Sequence, residues 1–356
     1  MERKEKSAAV CPALPLPEGL AERLLPWYEN NARPLPWREN ATPYRVWVSE
    51  IMLQQTRIEA VKGYFARFMA AFPSVEALAA APEEQVLKLW EGLGYYSRAR
   101  NLHSAAKTVA AEYGGALPAD WKRLRALPGI GDYTAGAIAS IAFELPESAV
   151  DGNVLRLCAR LTACPENIGD ERVKKAFREA LRAQYPPKNR GDFTSALMEL
   201  GETVCLPGTP DCAACPLEEI CQARRRGTQA DYPVMPGKKP RRVERKTVLL
   251  LVCGSCAALR RRPEKGLLAG LWEFPNVEGA LSEEEALETA RAWGCDPIAA
   301  EPCGEAAHIF THIEWQLSGW RIPCRKKAAG FVWADGAARR ETYAVPAAFR
   351  AYKDII

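Results

Sequence analysis

The sequence predicts two domains of different class, an all-α domain over residues 20–226 and a smaller α/β domain over 247–356. Three observations predict it. Residues 20–225 carry Ala-rich apolar periodicity at helical spacing, with few alternating β-branched runs. From Gly227 to Lys246 the composition shifts to Pro, Gly and basic residues, with six basic side chains against one acidic between Lys238 and Lys246. Beyond it, TVLLLVCG, HIFTHIEWQLSGW and FVWA read as strands around one helix-like stretch, SEEEALETARAWG. A chain of 356 residues that is 48% hydrophobic can bury real cores, so long disorder is not expected.

Residues 1–19 open with MERKEKSAAV and turn Pro-rich, which predicts a flexible tail in place of an apolar signal segment. No run approaches the roughly 18 apolar residues of a membrane span, so a soluble, cytoplasmic chain with no membrane partner is expected. The net charge of +4 is too small to imply nucleic-acid binding, which must rest on local clusters. Helices are punctuated by Pro73-Ser74 before VEALAAA, by Ala81-Pro82 before EEQVLKLW and by Gly114-Gly115 after KTVAAEY. Leu127-Pro128-Gly129-Ile130-Gly131 precedes a helical run beginning near Tyr133. Two glycines there allow a sharp turn whose N–H groups can cradle a phosphate, a helix-hairpin-helix pattern, though such a turn alone is usually only a corner. The segment 227–246 reads as a linker that also attracts phosphate, or simply as a solvated connector.

Of the twelve cysteines, Cys205, Cys212, Cys215 and Cys221 form a Cys-x6-Cys-x2-Cys-x5-Cys string. Four thiolates so spaced can wrap a [4Fe–4S] cluster or a tetrahedral zinc. Zinc sites more often use two close pairs, and this string has one, which favours the cluster. The cysteines at 11, 158, 164, 253, 256, 295, 303 and 324 read as small core residues.

Together the hairpin, an aspartate shortly after it (Asp151) and the cysteine string resemble the DNA glycosylases of the endonuclease III superfamily. LPWR (35–38), VWVSEIMLQQT (46–56), GLGYYSRARNLH (92–103) and VDGNV (150–154) are similar to its MutY-type adenine DNA glycosylases, and the likeness covers nearly the whole chain. It implies an all-α helix-hairpin-helix glycosylase domain with a [4Fe–4S] cluster, followed by a Nudix-like α/β module that includes GLLAGLWEFPNVEG (266–279). The implied partner is double-stranded DNA carrying adenine opposite 8-oxoguanine, engaged by a monomer.

The two carboxylates support this chemistry on physical grounds. Glu50 is flanked by Val46-Trp47-Val48 and Ile51-Met52-Leu53, so a dry site should raise its pKa and let it donate a proton. Asp151 precedes Gly152-Asn153 and a helix beginning near Val154, whose dipoles should hold it ionised. Opposed tuning of this kind suits N-glycosidic cleavage, with one acid for the leaving base and one anion for an oxocarbenium-like sugar. The plain alternatives are a helix cap at Asp151 and a solvent-facing carboxylate at Glu50.

By the resemblance, Glu50 protonates adenine at N7, Asp151 stabilises or captures C1′, and Asn153 and Tyr133 position them. Gly129 and Gly131 meet DNA phosphate; Gln55, Thr56 and Tyr95 wedge at the lesion; Arg33, Leu35, Trp37 and Arg38 form part of the adenine pocket and rim. Phe310-Thr311-His312 is similar to a Phe-Ser-His loop that reads 8-oxoguanine. Tyr133 stands where bifunctional relatives carry a Schiff-base lysine, which predicts a glycosylase without lyase activity. SEEEALETARAWG lacks the Arg-Glu-x-x-Glu-Glu metal signature, so recognition without pyrophosphate hydrolysis is expected. Three departures stand out: LPGTPD (206–211) has no Lys or Arg, for which Arg224-Arg225-Arg226 would compensate; Ser195 replaces a residue that reaches adenine; and Thr311 replaces Ser. The alternatives are an endonuclease III-like pyrimidine glycosylase/lyase and a non-catalytic iron–sulfur DNA-binding protein.

Overall fold

The computed structural model describes residues 15–237 and 240–355. The chain divides into two compact units, one reaching to Ala79 and resuming over Ser104–Gly237, the other combining Ala80–His103 with the chain that follows the linker. Before the first strand the helices are α1 (Leu20–Asn31), α2 (Pro43–Leu53), α3 (Ile58–Ala71), α4 (Val75–Ala80), α5 (Glu83–Leu89), α6 (Ser97–Glu112), α7 (Trp121–Ala126), α8 (Asp132–Ala137), α9 (Gly152–Thr162), α10 (Glu171–Arg182), α11 (Arg190–Thr203) and α12 (Gln222–Arg226). Sequence punctuation placed these elements well; it could not show that α5 and the start of α6 cluster with the second unit.

Local chemistry sets the helices that matter here. Thr42 caps α2 and Pro43 occupies its first turn, where a missing N–H costs nothing. Every residue of α2 from Val46 to Met52 is buried, as an all-round apolar helix requires. Asp120 caps α7 by accepting from Arg123 N at 2.8 Å, and Gly129 then turns the chain with φ 75°, a region other residues rarely adopt. Helix α8 starts one residue before the position expected and runs into a π-helical turn, Ile138–Ala142. The core of the first unit joins α1, α9, α10 and α11 through Leu20, Leu24, Val154, Phe177, Phe193 and Leu200.

Two boundaries differ from those the composition indicated. Leu16, placed within the flexible tail, is 2% exposed and packs into that core; residues 1–14 lie outside the described residues. The linker is also shorter than 227–246. Tyr232 packs on the helical core, Ile168 N donates to Val234 O at 3.1 Å, and the first strand already begins at Arg242. One aromatic finding a distant apolar partner is enough to order a stretch whose composition looks linker-like. Lys238 and Lys239 of the basic run lie outside the described residues.

The second unit carries a mixed sheet of β1 (Arg242–Cys253), β2 (Cys256–Arg261), β3 (Trp272–Glu273), β4 (Asn276–Glu278), β5 (Glu301–Ile309), β6 (Ile313–Pro323) and β7 (Val332–Ala334). Its order is β3-β2-β1-β6-β5, with β4 on β1 and β7 on β2; β1 and β6 run parallel. Val248 and Leu250 face a core with Phe274, Trp315 and Phe349. Leu249 and Leu251 face another with Ala286 and Ala290 of α13 (Glu283–Ala292). Burial on both faces explains the unbroken apolar run TVLLLV. Ser282 and Glu285 form a capping box on α13, so one carboxylate of the acidic run closes the helix start. Helices α14 (Gly336–Glu341) and α15 (Arg350–Lys353) complete the unit. Among the described residues no helix is long and apolar enough to cross a membrane.

Candidate active site

Glu50 sits on α2 with 5% exposure and accepts a hydrogen bond from the Tyr133 hydroxyl of α8 at 2.5 Å. Burial pushes its carboxyl up to about 7 against the lowering effect of that bond, and the nearby Asp151 and Glu202 charges raise it further. Glu50 is thus the buried acid the flanking residues implied, and not a solvent-facing carboxylate.

Asp151 is the N-cap of α9, accepting from Val154 N at 2.7 Å and from Asn153 Nδ2 at 2.9 Å. The capping reading therefore holds for this side chain. Asp151 does depart from expectation in one respect. Burial raises its pKa in spite of those donors, so the two carboxyls are shifted in the same direction. What separates them is their partners, since two N–H donors favour an anion at Asp151 while Glu50 receives a single hydroxyl. Asn153 is held in turn: its Oδ1 accepts from Arg156 Nη2 at 2.9 Å, and Arg156 also donates to Gly201 O and Cys205 O.

Around this centre the sequence-identified residues divide. Arg33 and Arg38 both donate to Glu199, which despite its burial is held below the usual carboxylate range by the two guanidiniums. Arg33 also pairs with Glu202. Leu35 and Trp37 are buried, Trp37 edge-on to Phe65 at 5.6 Å, so both anchor this segment in the core. Ser195 is buried on α11 beside the Tyr28 hydroxyl. Gln55, with φ 56°, is exposed just past α2, and Thr56 beside it is half-buried. Gly129 and Gly131 lie in the α7–α8 turn, where a Cβ at Gly131 would meet nothing within 4 Å. Glu199, Glu202, Arg156 and Gln54, which donates to Thr134 at 3.1 Å, escaped the sequence reading. The one signal available was the three-residue spacing of Glu199 and Glu202.

Cys205, Cys212, Cys215 and Cys221 are free thiols lining a single pocket, together with Arg160 and Gln229. Arg160 Nη1 donates to Cys205 Sγ at 3.3 Å and Gln229 Nε2 to Cys212 Sγ at 3.6 Å. Among the described residues no group of three or more His, Cys, Asp or Glu is arranged to hold a metal ion. Of the compensating arginines, Arg224 pairs with Glu218 and Arg225 donates to Glu219 O, while Arg226 is exposed.

In the second unit Phe310-Thr311-His312 forms the tight β5–β6 connection, closed by Phe310 N to Ile313 O at 2.8 Å. Phe310 packs edge-on to His308 and Trp315, while Thr311 and His312 are exposed. Tyr95 has φ 48°, is 48% exposed, and shares a hydrogen bond of 3.0 Å with the Thr311 hydroxyl. Tyr95, Phe310, Thr311 and His312 line one cleft.

Residues 48–183 match the HhH-GPD superfamily of base excision DNA repair proteins, and residues 247–354 match the NUDIX domain. An adenine DNA glycosylase of Mus musculus is 34% identical over 93% of this chain and 77% of its own, and one of Rattus norvegicus is 35% identical over 82% and 68%. The chain belongs to the adenine DNA glycosylase family. It is a base excision repair glycosylase built from a helix-hairpin-helix domain and a Nudix-like α/β domain. A solved thermostable thymine-DNA glycosylase is also similar, 27% identical with a TM-score of 0.52 over 58% of this chain and 95% of that one. Within the adenine DNA glycosylase family frame, Glu50, Tyr133 and Asp151 all fall inside the segment matched to the repair superfamily.

Proposed function

We propose that this glycosylase removes adenine from double-stranded DNA where it is mispaired with 8-oxoguanine or guanine, leaving an abasic site, and that it acts as a cytoplasmic monomer. The observation that carries this reading is the buried Glu50–Tyr133 hydrogen bond beside Asp151. With a carboxyl near 7, Glu50 is about half protonated at neutral pH, and its protonated form can give the proton to adenine N7. The C1′–N9 bond then breaks with its electron pair leaving on the base. Asp151, fixed by Val154 N–H and Asn153, faces the cationic sugar and stabilises it or captures C1′. Water finally adds at C1′ and its proton returns to Glu50. Access to the base requires extrusion of the nucleotide, costing a few kcal/mol that contacts from Gln55, Thr56 and Tyr95 would offset. The Gly129–Gly131 turn offers N–H groups to the DNA backbone.

Cys205, Cys212, Cys215 and Cys221 would hold a [4Fe–4S] cluster. Four cysteines lining one pocket, with a single close Cys-x2-Cys pair where zinc sites more often use two, suit a polynuclear group better than a tetrahedral zinc. When bound, the cluster supplies four metal–thiolate links that brace the segment 205–221. Thr311 and His312 present a hydroxyl and an imidazole at the exposed β5–β6 turn, suited to the N7–H and O8 of 8-oxoguanine. A pyrimidine glycosylase/lyase would need an amine at position 133, where a hydroxyl instead engages Glu50.

Single-turnover adenine release from duplexes with each opposite base tests the reading, with fastest release expected opposite 8-oxoguanine. Asp151→Asn should largely abolish release yet keep lesion-duplex binding, and normal release would overturn its role. A non-catalytic DNA-binding protein would bind the mismatch and release nothing; efficient borohydride trapping would instead favour a lyase. Replacing His312 by Ala should narrow the preference for 8-oxoguanine over guanine, and an unchanged ratio would remove that residue from recognition.

A further inference from the structure

Helix α11 carries a carboxylate to which nothing above gives a task. Met198 Sδ lies 3.8 Å from the Tyr133 hydroxyl that donates to Glu50. Glu202 is four residues further on, hence on the same helix face one turn along. Between them Gly201 rests on Asn153 so closely that a Cβ would come within 2.7 Å of the Asn153 Cβ. Glu202 therefore borders the space shared by Glu50 and Asp151. It is not loose there, because the Arg33 guanidinium, already gripped by the buried Glu199, pairs with it as well.

The charges around this border have a definite balance. Arg33 and Arg38 bring two positive charges and Glu199 only one negative. Without Glu202 the group would be net positive beside an acid that must keep its proton. With it, the four charges cancel. The groups acting on Glu50 come from every side: Tyr133 from α8, Asp151 at the head of α9, Glu202 from α11, and Arg38 from the segment before α2. The Tyr133 bond and Arg38 favour proton loss, whereas Asp151 and Glu202 oppose it.

We propose that Glu202, anchored by Arg33, is a counter-charge that acts with Asp151 to keep the proton on Glu50 and so extends the upper pH limit of base release. It is a positioning residue, acting on the substrate only through Glu50, and the proposal rests on the reading of Glu50 as the acid. Glu202 acts in the same sense on Asp151 and Tyr133, as a charge shared by the whole centre would.

The test is the single-turnover rate of adenine release by the full chain from about pH 5.5 to 9, for wild type, Glu202→Gln and Glu202→Asp. Release requires protonated Glu50, so the rate falls as pH rises through its pKa. Removing the Glu202 charge should move that alkaline limb down by about half a unit, lowering the rate at pH 8 by about threefold while leaving the acid plateau unchanged. Glu202→Asp should restore the limb. A Glu202→Gln profile that superimposes on wild type, or that falls equally at every pH, overturns the proposal. Should Glu202→Gln not fold, Arg33→Gln frees Glu202 from its anchor and should move the limb down in the same sense, and an unmoved or raised limb overturns the proposal equally. Wild type releasing no adenine at any pH would defeat the underlying reading too, whereas release with an unaltered Glu202→Gln limb defeats only the role of Glu202.

Discussion

Glu50 is a residue whose burial works against stability at high pH and, on the proposed function, serves the chemistry. Its carboxyl stands at about 7 in the fold against 4.5 unperturbed, so its contribution is fully favourable below pH 4.5 and is lost as pH rises through 7. Glu50→Gln should therefore be inactive yet more stable than wild type at pH 8, by about 3 kcal/mol at most, with the gap closing toward pH 5. Thermal melts at the two pH values would check it, and a gap that does not shrink on acidification would refute the assignment. Tyr133→Phe removes a donor that favours the carboxylate, so the alkaline limb of its rate profile should move up, opposite to that of Glu202→Gln. The burial of Glu50 was readable from Val46-Trp47-Val48 and Ile51-Met52-Leu53 on either side. Glu199 and Glu202 were not, because their significance comes from arginines 161 to 169 residues away.

At the scale of elements, Asp151 caps the start of α9, and on the proposed function it adds a chemical duty to that structural one. Asparagine caps helices as well as aspartate does, whereas alanine does not. Asp151→Asn should thus lose base release with little change in denaturant midpoint, while Asp151→Ala should lose release and about 1 kcal/mol of stability. Equal stability of the two variants would show that the cap contributes nothing. The α7–α8 hairpin makes a different demand. With Gly129 at φ 75°, Gly129→Ala should cost about 1–2 kcal/mol, visible as a lower midpoint and as weakened binding to undamaged duplex. Both elements were legible in sequence, since a glycine turn and a cap are fixed by neighbours within one helical turn.

At the scale of the molecule, the division between the two units lies elsewhere than composition placed it. The segment Ala80–His103 belongs with the sheet-bearing unit. Lys88 of α5 donates to Arg339 O and Tyr343 O at the end of α14, and Lys353 pairs with Glu91. Lys88→Met should leave those carbonyls without their cation and loosen α14 by about 1–2 kcal/mol, read as faster amide exchange over 336–345. Unchanged exchange there would mean that α5 contributes only packing. The same unit presents Thr311 to Tyr95, uniting two motifs that stand 216 residues apart.

The sequence by itself determined what depends on near neighbours: the helices and their caps, the glycine hairpin, the four-cysteine string and the buried setting of Glu50. Each follows from periodicity, backbone freedom or spacing within a few turns of chain. Only the tertiary structure decided which charges meet. It set Arg33 and Arg38 against α11, raised Asp151 through burial where helix dipoles alone would have lowered it, ordered Leu16 and Tyr232 in the core, and joined Ala80–His103 to the second unit. Desolvation and Coulomb interaction act through space, so they are fixed when distant segments pack, and no local pattern records them.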